Sequence, residues 1–232
     1  MHAPRLDSIQ LYSAAEHPAL DWPETEEAQA VRQMFEPIAK DGFEQDFCNI
    51  HSQLLLLRLK NAVLPAMLCE GAYDDAFISN VVGQYTDYSR DELDSFDSKH
   101  LRWGAYAFLT VLKSALIRFQ VNKCIAINNW PFASNLHPEL SVDDLQAIKE
   151  LCIERYPDHA VLFRSVNPEL DAGLCFGLES CGFQEIFSRQ VWMLNPDAKT
   201  LKIRHLKKDL QLLEDSPYRI LKHHEIRQED AP

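Results

Sequence analysis

Residues 123–166 read KCIAINNWPFASNLHPELSVDDLQAIKELCIERYPDHAVLFRSV, and this stretch decides the fold class. Lys123–Asn128 (KCIAIN) is a short apolar run of strand length, and Ala160–Val166 is a second. Between them Ser141 opens a helix, with Asp144 three residues on completing the S-x-x-D capping box. Leu145, Ile148, Leu151 and Cys152 form its apolar stripe, and Pro157 ends it. A strand, a crossover helix and a second strand predict two parallel neighbours in one sheet.

Downstream, residues 168–181 predict a third helix with Leu170, Leu174, Leu178 and Cys181 turned inward and Gly182 as its terminating glycine. Phe183–Leu194 (FQEIFSRQVWML) predicts a strand pair or one long bent strand. An amphipathic helix follows on Ile203, Leu206, Leu210 and Leu213, and Tyr218–Ile226 reads as extended. Upstream, Leu101–Gln120 predicts a helix with Ala105, Phe108, Leu109, Leu112, Ala115, Leu116 and Phe119 on one stripe. Ser52–Leu59 and Asn61–Cys69 predict a hairpin of buried strands, and a third apolar run covers Phe77–Tyr85. Glu24–Ala39 predicts the first helix, with a loosely held arm before it. The expected organisation is an N-terminal arm and helix over 1–45, an α/β core over 46–196, and a C-terminal helix and strand over 197–232 that could begin a second domain. The fold class is α/β, a mixed central sheet flanked by helices.

The chain has 232 residues and a formal charge of −12. Its first 100 residues carry 7 Lys+Arg against 18 Asp+Glu, so nearly all the excess lies there. Such a balance argues against nucleic acid or an anionic membrane as partner, and suits a cationic small molecule. No run is long enough for a membrane span, and the first residues lack the apolar core of a signal peptide. Six Cys without C-x-x-C spacing read as buried thiols of a cytoplasmic protein. No His, Cys, Asp and Glu set has metal-ligand spacing, so no metal is expected.

Ligands in such sheets bind outside the carboxyl ends of the strands. That places the candidate site on Asn128, Asn129, Trp130, Ser134 and Asn135 after the first strand, and on Arg164, Ser165 and Asn167 at the second. Asn and Ser there either orient a substrate amide or satisfy loop backbone. A guanidinium in an apolar strand, Arg164, calls for an internal carboxylate or an anionic ligand. His137 is either a general base or part of a Pro138 turn. Tyr85, Tyr88, Trp103 and Trp130 line an apolar pocket or serve the core.

From about residue 50 to 194 the element order, with Asn167 at a strand end and Gly182-Phe183 after the following helix, resembles the core of the GNAT acyltransferases. The stretches NNWPFASNLHPEL and HAVLFRSVN also resemble tandem GNAT-like proteins, of which this chain would be the N-terminal half. The resemblance implies transfer of an acyl group from acyl-CoA, as co-substrate, to a small amine. It assigns Asn128, Ser165 and Asn167 to catalysis, and Asn129, Trp130, Ser134, Asn135, Arg164 and Tyr85 to substrate. Its geometric expectation is a V-shaped crevice opening at Asn128 and Asn167. The chain departs from the family in three places. The loop 128–141 has no Gly, Lys or Arg to meet a diphosphate, and the helix after it opens on Asp143 and Asp144. Leu178 stands where many members carry a Tyr acid, and the Asn167–Gly182 interval, 15 residues, is about one helical turn longer than is usual in the family. A non-catalytic half that supports or dimerises with an active domain is therefore the alternative.

Overall fold

The structure, a computed structural model, describes residues 9–45, 47–132, 134–193, 197, 200–218, 221, 225 and 227. It divides into two compact units, Met1–Ile186 and Phe187–Pro232. The first unit is built on a five-stranded sheet whose spatial order follows the chain. β1 (Gln10–Ser13) pairs antiparallel with β2 (Gln53–Arg58), and α1 (Glu26–Asp41) lies between them in sequence. The residues before α1 thus supply an edge strand where an arm was expected.

β3 (Val63–Glu70) closes the hairpin on β2, with Leu56 opposite Pro65 and Leu54 opposite Met67. The chain then forms α2 (Val81–Tyr85), α3 (Asp87–Asp91) and α4 (Lys99–Arg118) before returning as β4 (Lys123–Ile127), antiparallel to β3. The apolar run at 77–85 is therefore a turn and a short helix. Asn80 caps that helix by accepting from Gly83 N, so apolar content without period-2 alternation went to a helix. α5 (Val142–Arg155) crosses over to β5 (Ala160–Phe163), which is parallel to β4 from Cys124↔Ala160 to Ile127↔Phe163. α6 (Ala172–Ser180) follows, and α7 (Arg204–Glu214) belongs to the second unit.

Period-2 side-chain alternation sorts the strands into two buried faces. Leu54, Leu56, Val63, Met67, Cys69, Cys124 and Ala126 face Val31, Phe35 and Ile38 of α1. Leu55, Leu57, Leu64, Ala66, Leu68, Ile125 and Ile127 face Ala147, Ile148 and Cys152 of α5. Leu145, Leu174, Leu178 and Cys181 join α5 to α6, and they approach closely because Gly177 has no side chain. Ser141 and Asp144 cap α5 reciprocally. Gly182, at φ +80°, ends α6: its N–H reaches Glu179 O at 2.9 Å, and Phe183 N reaches Leu178 O at 3.0 Å.

The helix expected at 101–120 forms as α4; of its stripe Leu109 is buried, Ala105, Leu112, Ala115 and Leu116 are half-buried, and Phe108 and Phe119 are 65% and 79% exposed. Two expectations fail. Leu170 lies in a turn before α6 and is exposed. Residues 183–193 form no strand, and Ile186, Phe187, Val191 and Trp192 are exposed. A strand needs a partner to receive its backbone bonds, and alternation alone does not supply one. Most of Tyr218–Ile226 lies outside the described residues.

Candidate functional site

The site is built where β4 and β5 stop. Asn129 N donates to Pro65 O at 3.0 Å, and in an extended strand the N–H of a residue points to the same neighbour as its C=O. Proline has no N–H to return, so β4 loses a rung beside Asn128. There the backbone turns left-handed, φ +49° at Asn128, and β5 does the same at Ser165, φ +57°. Asn tolerates this region, whereas Ser rarely enters it. Two neighbouring parallel strands thus end on the same kind of backbone reversal.

The loop after β4 folds back over that gap. Trp130 donates from Nε1 to Asn128 Oδ1 at 3.1 Å and sets its ring edge-on to Phe35 of α1. Asn128 Nδ2 donates to Leu136 O at 2.7 Å and meets His137 Nδ1 at 3.1 Å. Asn135 accepts from Trp130 N at 3.0 Å and donates from Nδ2 to Arg164 O at 2.9 Å. Its side chain therefore bridges from the loop to the end of β5. The two strands pair through Ile127↔Phe163, and beyond them, where a crevice was expected, Asn135 bridges the loop to Arg164 O.

Arg164 reaches the other way, into the turn before α2. Nη1 donates to Ile78 O and to Asn129 Oδ1, the latter at 2.9 Å, and Nη2 donates to Phe77 O at 3.3 Å. Asn129, fully buried, also donates to Ile78 O at 2.8 Å. The guanidinium is thus held by carbonyls and an amide that pin the turn 77–78 to the sheet. Tyr85 is half-buried at the end of α2; burial pushes its phenol up, and the nearby Arg164 charge opposes that.

His137 Nδ1 accepts a hydrogen bond from the Asn128 amide, so the neutral ring carries its own proton on Nε2. Burial holds this imidazole below the ordinary histidine range, against Asp171 and the Arg164 and Ser165 backbone. The reading of His137 as a general base meets a lone pair already engaged. Asn167 builds the turn into α6: its Oδ1 accepts from Glu169 N at 2.9 Å and its N–H donates to Asp171 Oδ2 at 2.9 Å. Ser134 is exposed.

Asn128, Asn129, Trp130, Asn135 and Arg164 therefore form one network, with Tyr85 and Ser165 at its margins. A second buried polar cluster on the α1 side of the sheet escaped sequence reasoning. There Ser52 Oγ donates to Asp75 Oδ2 at 2.6 Å, and His51 N donates to Asp75 Oδ1 at 2.6 Å. In the sequence Asp74 and Asp75 stand side by side, with no sign that Asp75 would turn inward.

Among the described residues no group of three or more His, Cys, Asp and Glu is placed to hold a metal, and no helix is long and apolar enough to cross a membrane. No protein-family model, curated protein or solved structure matches this chain.

Proposed function

We propose that the chain is a GNAT-like domain of an N-acyltransferase, with the carboxyl ends of β4 and β5 as the site that meets an acyl-CoA donor and a small amine. One observation carries the reading: adjacent parallel strands stop together on left-handed Asn128 and Ser165. In mixed α/β sheets that is where exposed backbone groups meet a ligand, and strained non-glycine residues concentrate at such places. In the reaction the amine nitrogen attacks the thioester carbonyl, the C–S bond breaks, and the thiol of CoA leaves. With the His137 lone pair engaged by Asn128, the amine proton passes to solvent. Arg164 holds the turn at Phe77 and Ile78, and Asn135 must release Arg164 O for a donor to enter between the strands.

That last requirement supports the second reading, a non-catalytic half that supports or dimerises with an active domain. The Asn135 bridge fills the space a donor would use. The start of α5 is sealed by Ser141 and Asp144, with Asp143 beside them, where a diphosphate would need open N–H groups. Thermal unfolding with acetyl-CoA, longer acyl-CoAs and free CoA separates the two. A donor site gives a Tm that rises with ligand concentration, by a free energy of about 2.7 kcal/mol at one hundred times Kd. An unchanged Tm with millimolar ligand, in the wild type and in Asn135→Ala, rejects acyl transfer and leaves the non-catalytic half.

A further inference from the structure

Cys69 and Cys124 stand directly opposite each other on the antiparallel strands β3 and β4. Both thiols point into the face covered by α1, at 3% and 1% exposure. Residues opposed in this way have Cα atoms about 4.5 Å apart in a non-hydrogen-bonded pair and about 5.5 Å in a hydrogen-bonded one. Both values fall within the roughly 4.4–6.8 Å that a disulfide spans. The other buried cysteines lack such a partner: Cys152 lies against α5's face of the sheet, and Cys181 is directed at Val142 O.

The surroundings of the pair are polar on one side. Ser52 Oγ lies 3.3 Å from Cys69 Sγ while giving its single proton to Asp75 Oδ2. Asp75 in turn holds His51 N, and its carbonyl accepts from Asn80 Nδ2 at 3.2 Å. The neighbouring Cys124 thiol, with the Ser52 hydroxyl, draws Cys69 below the ordinary cysteine range, and the Cys69 thiol together with burial pushes Cys124 up. Cys69 is the sulfur that also meets the Ser52 hydroxyl, and it is assigned the attack. A shallow depression of about 270 Å³ lies on the same hydrophobic cluster, lined in part by Ile50, Ala76 and Ile78 and by neither cysteine.

We propose that Cys69 and Cys124 are a cross-strand dithiol that hydrogen peroxide or a small hydroperoxide converts to a disulfide. The sulfur of Cys69 attacks the peroxide oxygen, the O–O bond breaks, and one water (or alcohol) leaves with the thiol proton. The sulfenic acid on Cys69 is then attacked by Cys124; the S–S bond forms and the hydroxyl leaves as water with the proton of Cys124. Two electrons pass from the dithiol to one peroxide. The disulfide removes the Cys69 thiol from Ser52, and so reaches the Asp75 turn that leads to Phe77 and Ile78, the carbonyls on Arg164.

The experiment uses the full chain with Cys48→Ser and Cys175→Ser, which removes the more accessible thiols. The protein is treated with graded hydrogen peroxide, alkylated after denaturation and digested for mass spectrometry. The expected result is joint loss of alkylation at Cys69 and Cys124, a linked peptide pair lighter by two hydrogens, and recovery of both thiols with dithiothreitol. Oxidation of Cys69 should outpace that of Cys152 by at least about tenfold. Cys124→Ala and Cys124→Ser should give no linked peptide and leave oxygen added at Cys69. Equal rates at Cys69 and Cys152, or oxygen added to both sulfurs without linkage in the parent chain, overturns the proposal. So does retention of both thiols at peroxide levels that oxidise Cys48 in the wild type.

Discussion

α4 and α5 both carry an apolar stripe in the sequence, and they meet opposite fates. α5 buries Leu145, Ala147, Ile148 and Cys152 between the sheet and α6. α4, six residues longer, buries Leu109 alone and leaves Leu101, Trp103, Phe108, Val111 and Phe119 open. Beside its half-buried Ala105, Leu112, Ala115 and Leu116 it holds Lys113 Nζ on Asp87 at 2.7 Å, Arg102 on Asp94 at 3.2 Å, and the Arg90 guanidinium 4.4 Å from the centre of the Tyr106 ring. A 3.6-residue period states that a helix has an apolar side. What meets that side is settled by where the chain ends up, and α5 is placed by a crossover that must return over the sheet.

Substitutions can break or sharpen this contrast. Ile148→Ala in α5 should lower unfolding stability by about 2–5 kcal/mol in urea titrations; a loss under 1 kcal/mol would put α5 on the same footing as α4. Gly177→Ala comes next. Its new Cβ would lie 2.6 Å from Leu145 Cδ1, so the fully buried Leu145 side chain must shift, at about 1–3 kcal/mol. The caps should differ too. Ser141→Ala removes a reciprocal pair and should cost about 1 kcal/mol. Ser98→Ala gives up a single long bond of 3.4 Å to Leu101 N at an exposed helix end, and should cost less.

The pH test bears on the loop that leads into α5. His137 is held neutral by burial, so the unfolded chain binds its proton more readily than the folded one. Stability should therefore fall as pH drops below the unfolded histidine value of about 6.5. In His137→Gln that part of the slope should be missing, and a slope equal to wild type would remove the buried neutral ring from the account. Phe108→Ser in α4 and Phe119→Ser at its C-terminal cap should stay within about 0.5 kcal/mol of wild type. A loss of 2 kcal/mol from either would mean that this flank of α4 is covered in solution.

The parts of the fold legible in the sequence are those whose partner lies close by in the chain. The β2–β3 hairpin, the Ser141 cap and the Gly182 terminator rest on local patterns, and all three hold. The strand expected at 183–194 needed a distant partner and did not form over 183–193. The site shows the same split. Arg164 stood out because a guanidinium amid apolar residues must be solvated by something, yet the carbonyls of Phe77 and Ile78 that do so lie over 80 residues away. Asn128 and Asn135 were legible as polar loop residues. Their direction, Asn128 toward Leu136 O and Asn135 toward Trp130 N and Arg164 O, was not, because side-chain amides carry no periodicity.

Because the strands stand side by side in the order in which they leave the ribosome, each of β3, β4 and β5 can add to a neighbour already synthesised. The slowest addition is that of β4, which must first close a segment of about 50 residues holding α2, α3 and α4. The entropy of such closure grows only logarithmically with length. Lengthening or trimming that excursion should therefore alter the folding rate far less than moving a strand out of turn.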